Sequence, residues 1–279
     1  MELKTLAGTS INDILTAFND AFSDYFIKLQ LTEETIASKF RSENIDLHLS
    51  VGAFDTNRLV GFILHGYNVL YGVPTVYNAG TGVVPGCRGK GITKSLYEYC
   101  ISLLKTKGIH SHLLEVIDNN YPAIKIYEEI GFRKIRILDV FKCQQAIGAK
   151  ESITIKEVEE ITKAAEAFGS VEPSWQNTLE AVKRDIQNHK LIGAFRGNEL
   201  IAYAAFVPAT GRVKQCAVHA AYRRQGIGKS LFHYMMEASA TSELLITNVD
   251  TAYSEGILFL EAIGFTRILR LYEMKMEVQ

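Results

Sequence analysis

The chain has 279 residues, 47% of them hydrophobic, and a formal net charge of -1. That composition supplies enough apolar surface for two ordinary cores and excludes collagen-like and disordered classes. The near-neutral balance offers no basic footprint, so no nucleic-acid partner is expected. Nothing reads as a membrane span, and Met1 to Leu6 has no leader-like pattern, so a cytoplasmic protein without membrane contact is expected. Cys87, Cys100, Cys143 and Cys216 form no CxxC pair, and His65, His110, His112 and His219 lack ligand spacing, so neither a metal nor a disulfide framework is expected.

From the N-terminus, a short strand precedes amphipathic text over Ile11 to Phe22 and Thr32 to Phe40, which predicts two helices. His48 to Phe54 and Leu59 to Leu64 flank the polar turn Asp55-Thr56-Asn57-Arg58 and read as a hairpin. A third strand, Val76 to Val83, runs into a glycine-bearing turn and a helix over Gly91 to Leu104, followed by strand, helix and strand. The succession then restarts at Ile153. Helical text covers Val158 to Phe168 and Trp175 to Asn188, a hairpin pairs Lys190 to Phe195 with Leu200 to Phe206, and Arg212 to Val218 leads into a helix over Gly226 to Ala238.

The segment from Val83 to Ile92 is answered by Val218 to Ile227, 135 positions later, and Ile130-Gly131-Phe132 by Ile263-Gly264-Phe265, 133 positions later. Matches in one order at near-constant spacing mean a domain-sized repeat. A seam over residues 146–151 gives two domains, 1–146 and 151–279, each an α/β unit on a mixed sheet.

Arg88-Gly89-Lys90-Gly91-Ile92-Thr93 lies between a strand and a helix, where unpartnered N–H groups and the helix dipole favour an anion. Glycine lets the backbone approach a phosphate closely, and Arg and Lys add charge-assisted contacts, so the turn reads as a diphosphate site. Arg223-Arg224-Gln225-Gly226-Ile227-Gly228 repeats it. A GxxxxGK[ST] loop would need glycine at 223, where Arg stands, and no GxGxxG follows the first strand, which disfavours ATP hydrolysis and dinucleotide binding.

The pattern V-x-x-x-x-R-x-x-G-x-G/A after a strand resembles the acyl-CoA loop of the GNAT superfamily of N-acetyltransferases. The first copy departs from it at Thr93, where the family has Gly or Ala. The resemblance implies two tandem GNAT-like acyl-CoA-binding domains with acetyl-CoA as cosubstrate. Cofactor residues would be Val83, Val84, Arg88, Gly89, Lys90, Gly91, Ile92, Thr93 and Asn120 in the first half, and Val218, Arg223, Arg224, Gln225, Gly226, Ile227 and Gly228 in the second. Backbone N–H groups on the strand before the turn would polarise the thioester carbonyl.

Leu114-Glu115-Val116 through Gly131-Phe132 resembles the second family signature, LEV…N..A..LY...GF, in the form found in ribosomal-protein alanine acetyltransferases. That likeness implies Glu115 as general base and Tyr127 as general acid. The chemistry agrees: an ammonium must lose a proton before attacking a thioester, and the departing thiolate gains from a nearby donor. Aligned on Gly264-Phe265, the second half has Asn248 and Leu260 at these positions, so the first half is expected to be catalytic. The alternative is catalysis in the second half, as in mycothiol synthase-like tandem members, with Tyr253 or Tyr272 as donor. A non-catalytic acyl-CoA-binding module and a FemX-type aminoacyl transferase are the other readings; the latter would show a basic channel and weaker turns. The acceptor, a small-molecule or peptide amine, is expected beside Asp24, Tyr25 and Tyr77. A fused pair can stand in for a dimer of single domains, so a monomer is expected, with a dimer as the alternative.

Overall fold

A computed structural model of the chain describes residues 1–25, 29–148 and 153–278. It divides into two compact units, Met1–Ile135 with Tyr272–Gln279, and Arg136–Leu271. These bounds differ from a seam at residues 146–151, of which Ala149, Lys150 and Glu151 lie outside the described residues, as does Gln279.

In the first unit the order is β1 (Glu2–Thr5), α1 (Ile11–Ala21), α2 (Glu33–Ser42), β2 (Val51–Asp55), β3 (Arg58–Leu70), β4 (Val73–Val83), α3 (Ile92–Thr106), β5 (Ser111–Ile117) and α4 (Tyr121–Ile130). Ser10 caps α1 by accepting the Asp13 N–H, and Ile14, Ala17, Phe18 and Ala21 form its buried face. Strands β1 to β4 are antiparallel neighbours, and β5 joins β4 in parallel through the α3 crossover.

The second unit opens with the larger part of β6 (Arg133–Cys143) and continues through β7 (Thr154–Glu157), α5 (Lys163–Glu166), α6 (Leu179–Arg184), β8 (Lys190–Arg196), β9 (Glu199–Val207), β10 (Arg212–Val218), α7 (Ile227–Glu237), β11 (Leu244–Asp250), α8 (Ser254–Ala262) and the start of β12 (Thr266–Glu277). Its sheet runs β6-β11-β10-β9-β8-β7, with β10 and β11 parallel and the other pairs antiparallel. Two helices are shorter than their text predicts. Val158 still donates to the Leu191 carbonyl, and Thr162 and Thr178, both extended, start α5 and α6 anew as side-chain caps.

The last strands explain the domain bounds. β6 pairs with β11, matching Leu244 to Cys143 and Ile246 to Phe141, and buries Phe141 and Cys143 in the second core. The chain from Tyr272 onward belongs to the first unit, where Met274, Met276 and Val278 are buried. A buried aliphatic side chain of this size contributes roughly 1.5–3 kcal/mol, so a cut at residue 146 would strip each core of several anchors.

The first core holds a buried polar group that spacing did not suggest. His65 Nδ1 donates to the Leu49 carbonyl at 2.8 Å, which leaves Nε2 an acceptor facing His112 Nε2 at 3.1 Å and Cys100 Sγ at 3.8 Å. Burial lowers His65 to about 4 and drives His112 well below the ordinary range, the neighbouring His65 adding to the second effect. Folding therefore excludes protons that the unfolded chain binds near pH 6.5, so this stability is complete above that pH and is lost as pH falls toward 4. The His65 shift corresponds to about 3 kcal/mol. Amide exchange in β3 and β5 is expected to accelerate over that window. His65→Phe, the residue standing at the matching position 206, should flatten the response, and an unchanged pH slope would remove His65 from the account.

Candidate active site

The turn after β4 leaves α3 with Gly91 as its N-cap, at φ 75°, and no side chain caps this end. Gly89 is also at φ 75°. A Cβ built on Gly86, Gly89 or Gly91 meets nothing within 4 Å, so the glycines face open space where an anion can reach the N–H groups of the first helical turn. That space is a groove of about 750 Å³, lined by Val83, Arg88 and Thr93 at the turn, Tyr97 and Ile101 on α3, and Pro122, Ile126 and Glu129 on α4. In the second unit α7 likewise starts without a side-chain cap, at Gly226 with φ 85°, while Arg224 adopts φ 62°. A non-glycine residue in that left-handed conformation costs roughly 1 kcal/mol.

Arg88 has a job that its charge did not announce. Its guanidinium donates to both carboxylate oxygens of Asp24 at 2.7 and 2.8 Å, to the Ala21 carbonyl at 2.9 Å and, through Nε, to the Val83 carbonyl at 3.1 Å. It ties the end of α1 to the turn, and the ion pair holds the Asp24 carboxyl below its usual range. Arg223 repeats the brace, reaching the Val218 carbonyl at 3.1 Å and the Phe168 carbonyl at 3.0 Å. Gln225 is engaged by Arg196 at 2.9 Å, and Gly228 packs beside the Phe259 ring.

Beyond the turn, β4 and β5 part. Their parallel register runs from Thr75–Ser111 to Asn78–Leu114, and the antiparallel register with β3 skips Ala79, a one-residue bulge. Glu115 is the first β5 residue past the fork, and the Tyr77 hydroxyl donates to its Oε2 at 3.1 Å. Asn120 caps α4 and donates to the Tyr25 hydroxyl at 3.2 Å; burial raises Tyr25, partly offset by that bond. Each proposed acceptor residue thus contacts a proposed catalytic or cofactor residue: Asp24 meets Arg88, Tyr25 meets Asn120, and Tyr77 meets Glu115.

Tyr127, on α4, is buried against Tyr97 and Phe132 with ring centroids 5.8 and 5.9 Å away. Burial, with Tyr25 adding, pushes its hydroxyl up to about 12, against the pull of hydrogen bonds from Thr81 and Tyr97. It keeps its proton at neutral pH and can donate it. Tyr97, which packs on Tyr127, accepts from Asn78 Nδ2 at 2.7 Å, and the same amide donates to Thr81 at 2.8 Å.

The second unit differs at the corresponding place. β10 carries the same bulge at Lys214, but its parallel pairing with β11 covers only Arg212–Leu245 and Val213–Ile246. Its own chain lies across the fork: Lys214 donates to the Gln176 carbonyl at 3.2 Å, Gln215 to the Asn177 carbonyl at 2.8 Å, Asn177 to the Thr247 carbonyl at 2.7 Å and Asn248 to Ser174 at 3.2 Å. Asn248 sits in a break of the β11–β6 register at φ 62°, and Leu260 is buried in the apolar core. Trp175 is buried as packing. Tyr272, a candidate donor for this half, belongs to the first unit, with the Lys134 ammonium 4.4 Å from its ring centre.

Residues 12–132 and 156–265 both match the acetyltransferase (GNAT) family. The chain belongs to the GNAT acetyltransferase family. Members use acetyl-CoA as cosubstrate, and the uncapped helix and open glycine cradle of the first unit suit its diphosphate. The chain is 28% identical over 125 residues to a mycothiol acetyltransferase of Arthrobacter sp. (strain FB24), an alignment spanning 43% of this chain and 38% of that protein. It is 31% identical over 91 residues to an N-alpha-acetyltransferase of Saccharolobus solfataricus, spanning 29% and 54%. The aligned regions therefore cover well under two thirds of either relative. Among solved structures, a tandem GNAT protein from the clavulanic acid biosynthesis pathway superposes with TM-score 0.74 at 14% identity, covering 100% of this chain and 98% of that one. A putative acetyltransferase of Pyrococcus horikoshii gives 0.71 at 11% identity, covering 99% and 89%. At these identities the superpositions establish the two-domain α/β fold. Among the described residues no helix is long and apolar enough to cross a membrane.

Proposed function

We propose that the chain moves an acetyl group from acetyl-CoA to an amine acceptor by direct attack in a ternary complex, and that the chemistry occurs in the first unit. The observation that carries this reading is the placement of Glu115 at the open end of the β4–β5 fork, bonded to Tyr77 at 3.1 Å, with a protonated Tyr127 behind the acyl-CoA groove. Glu115 takes a proton from the entering ammonium, the backbone N–H of Val83 or of the Ala79 bulge polarises the thioester carbonyl, and Tyr127 protonates the departing sulfur. The thioester is already activated, so the step calls on no metal, and binding both partners together supplies orientation. The acceptor is a small-molecule or peptide amine seated by Asp24, Tyr25 and Tyr77. One of the two relatives is an N-alpha-acetyltransferase, which supports an amine acceptor.

The chain laid across the β10–β11 fork and the leucine at 260 weigh against the second half as the catalytic one, and favour cofactor binding there without turnover. The test follows release of the CoA thiol from acetyl-CoA with a short peptide, spermidine or an aminoglycoside as acceptor. Glu115→Gln is expected to lower kcat about a hundredfold at pH 7. The loss should shrink as pH rises toward the pKa of the amine, which then deprotonates unaided. Full activity in Glu115→Gln would sink the assignment of the base.

A further inference from the structure

Away from the acyl-transfer groups, the first core gathers three side chains that the chemistry above does not use. His65 on β3, Cys100 on α3 and His112 on β5 are wholly buried, at 0% exposure each. Each offers one ligand-type atom, and the three atoms lie within 4.8 Å of one another. The Nε2 atoms of His65 and His112 are 3.1 Å apart, and the Cys100 sulfur is 3.8 Å from His65 Nε2. His65 stands 35 positions before Cys100 and 47 before His112, so the fold assembles a group that sequence spacing does not show.

The second half of the chain builds the same frame without them. The bulges at Ala79 and Lys214 align Asn78 with Val213, and the strand registers on either side then match His65 to Phe206 and His112 to Leu244. The 135-residue spacing matches Cys100 to Met235. Phe206, Met235 and Leu244 are also at 0% exposure. Where one copy packs three apolar side chains, the other brings together two imidazoles and a thiol. Buried polar groups cost stability unless they are hydrogen-bonded, and His112 Nδ1 is buried with no hydrogen-bond partner. Hydrogen bonding inside the cluster does not offset that cost, which points to a ligand.

The geometry suits an ion. His65 Nδ1 donates to the Leu49 carbonyl at 2.8 Å, which fixes the ring and leaves the Nε2 lone pair facing the other two residues. Two nitrogens at about 2.0 Å and a sulfur at about 2.3 Å from one ion stand roughly 3.3 to 3.8 Å apart. The spacings of 3.1 and 3.8 Å around His65 Nε2 fall at or close to that range.

We propose that His65, Cys100 and His112 form a structural site for a soft monovalent cation, copper(I), in the core of the first unit. Two imidazoles and one thiolate are the donor set of trigonal copper sites, and soft thiolate ligands select copper(I). Charge decides between copper(I) and zinc(II). One thiolate neutralises a monovalent ion, whereas a divalent ion would leave a positive charge in a core where, among the described residues, no carboxylate joins the group. Zinc also takes four ligands in closed sites, and this group supplies three. On binding, the Cys100 S–H bond breaks, its proton leaves to solvent and its electron pair goes to copper. The His112 proton moves from Nε2 to Nδ1 so that Nε2 can bind, and nothing is oxidised or reduced. The core gains an ion and stays neutral. The loss of stability toward pH 4 described for His65 belongs to the metal-free protein.

The test supplies copper(I) under argon, both during refolding from urea and to the folded chain, in competition with the chelator bicinchoninate. The wild type is expected to keep one copper per chain, and its amides in β3 and β5 should exchange about tenfold more slowly than without the ion. His65→Phe and His112→Leu introduce the residues that the second unit packs at those places, and Cys100→Ala removes the sulfur. Each should weaken copper(I) binding about a hundredfold or more, while amide exchange in α3 checks that the unit is folded. Copper held equally well by Cys100→Ala would lie on another thiol, and copper held equally well by both histidine variants would lack the imidazoles; either result overturns the proposal. So would a wild type that binds no tighter than the variants, or that holds zinc(II) in preference to copper(I). If Cys100→Ala does not fold, the two histidine variants decide.

Discussion

Replacing Gly91 by alanine is expected to weaken acetyl-CoA binding at the first unit about a hundredfold while leaving that unit folded. The added methyl meets no protein atom within 4 Å, so it does not disturb packing. Its folding cost is that of an L-residue at φ 75°, roughly 1 kcal/mol, or a few degrees in Tm. The same methyl projects into the space the diphosphate needs and separates it from the N–H groups at the start of α3, whose charge-assisted bonds are worth roughly 1.5–3 kcal/mol each. Calorimetry on Gly91→Ala and Gly226→Ala separates the two sites. Loss of turnover in the first variant alone places the chemistry beside Glu115; loss in the second alone would overturn that placement. Arg88 is a poorer probe than its charge suggests, because removing it also frees Asp24 and the end of α1.

Local chemistry was legible in the sequence and partnership was not. Gly89 and Gly91 could be read because positive φ and close phosphate approach both demand glycine at fixed offsets from a strand end. Both hairpins and both parallel crossovers could be read for a similar reason, since alternation and turn residues act over a few positions. The destination of β6 and of the chain from Tyr272 could not. Both copies carry the same apolar alternation there, and the pattern that makes a strand does not name the sheet that receives it. The bulge at Lys214 has no turn residue to betray it. Trp175 is buried as packing, yet nothing in Ser174-Trp175-Gln176-Asn177 shows that its carbonyls accept from β10.

Arg88 and Tyr97 are complementary failures of residue type as a guide. An arginine in a phosphate-like turn reads as a ligand, but three backbone and side-chain groups claim its guanidinium first. Tyr97 reads as one more aromatic on a buried helix face and is fully buried, yet its hydroxyl accepts from Asn78, whose amide is oriented by the Gly80 N–H. In both cases the hydrogen-bond partners, which come from distant segments, decide the role.

Tyr127→Phe is expected to lower kcat about a hundredfold, at the lower end of what a positioned general acid supplies, with little change in the KM for acetyl-CoA. The ring that packs on Tyr97 and Phe132 survives the substitution, so ground-state binding and the core are retained and the loss falls on the step in which sulfur departs. The pH profile gives the second signature. Tyr127 is lifted to about 12, so the wild type should show no alkaline decline from this group below about pH 11. Activity should rise with pH as the amine deprotonates and then hold. In Tyr127→Phe the thiolate must leave unprotonated or take its proton from water, so a better leaving group should recover rate: a thioester of a more acidic thiol would be less impaired than acetyl-CoA. Equal loss with both thioesters would mean that the phenol orients the cofactor and gives no proton. An unimpaired Tyr127→Phe, with Glu115→Gln inactive, would move the donor to Tyr97, the other buried phenol at the groove wall.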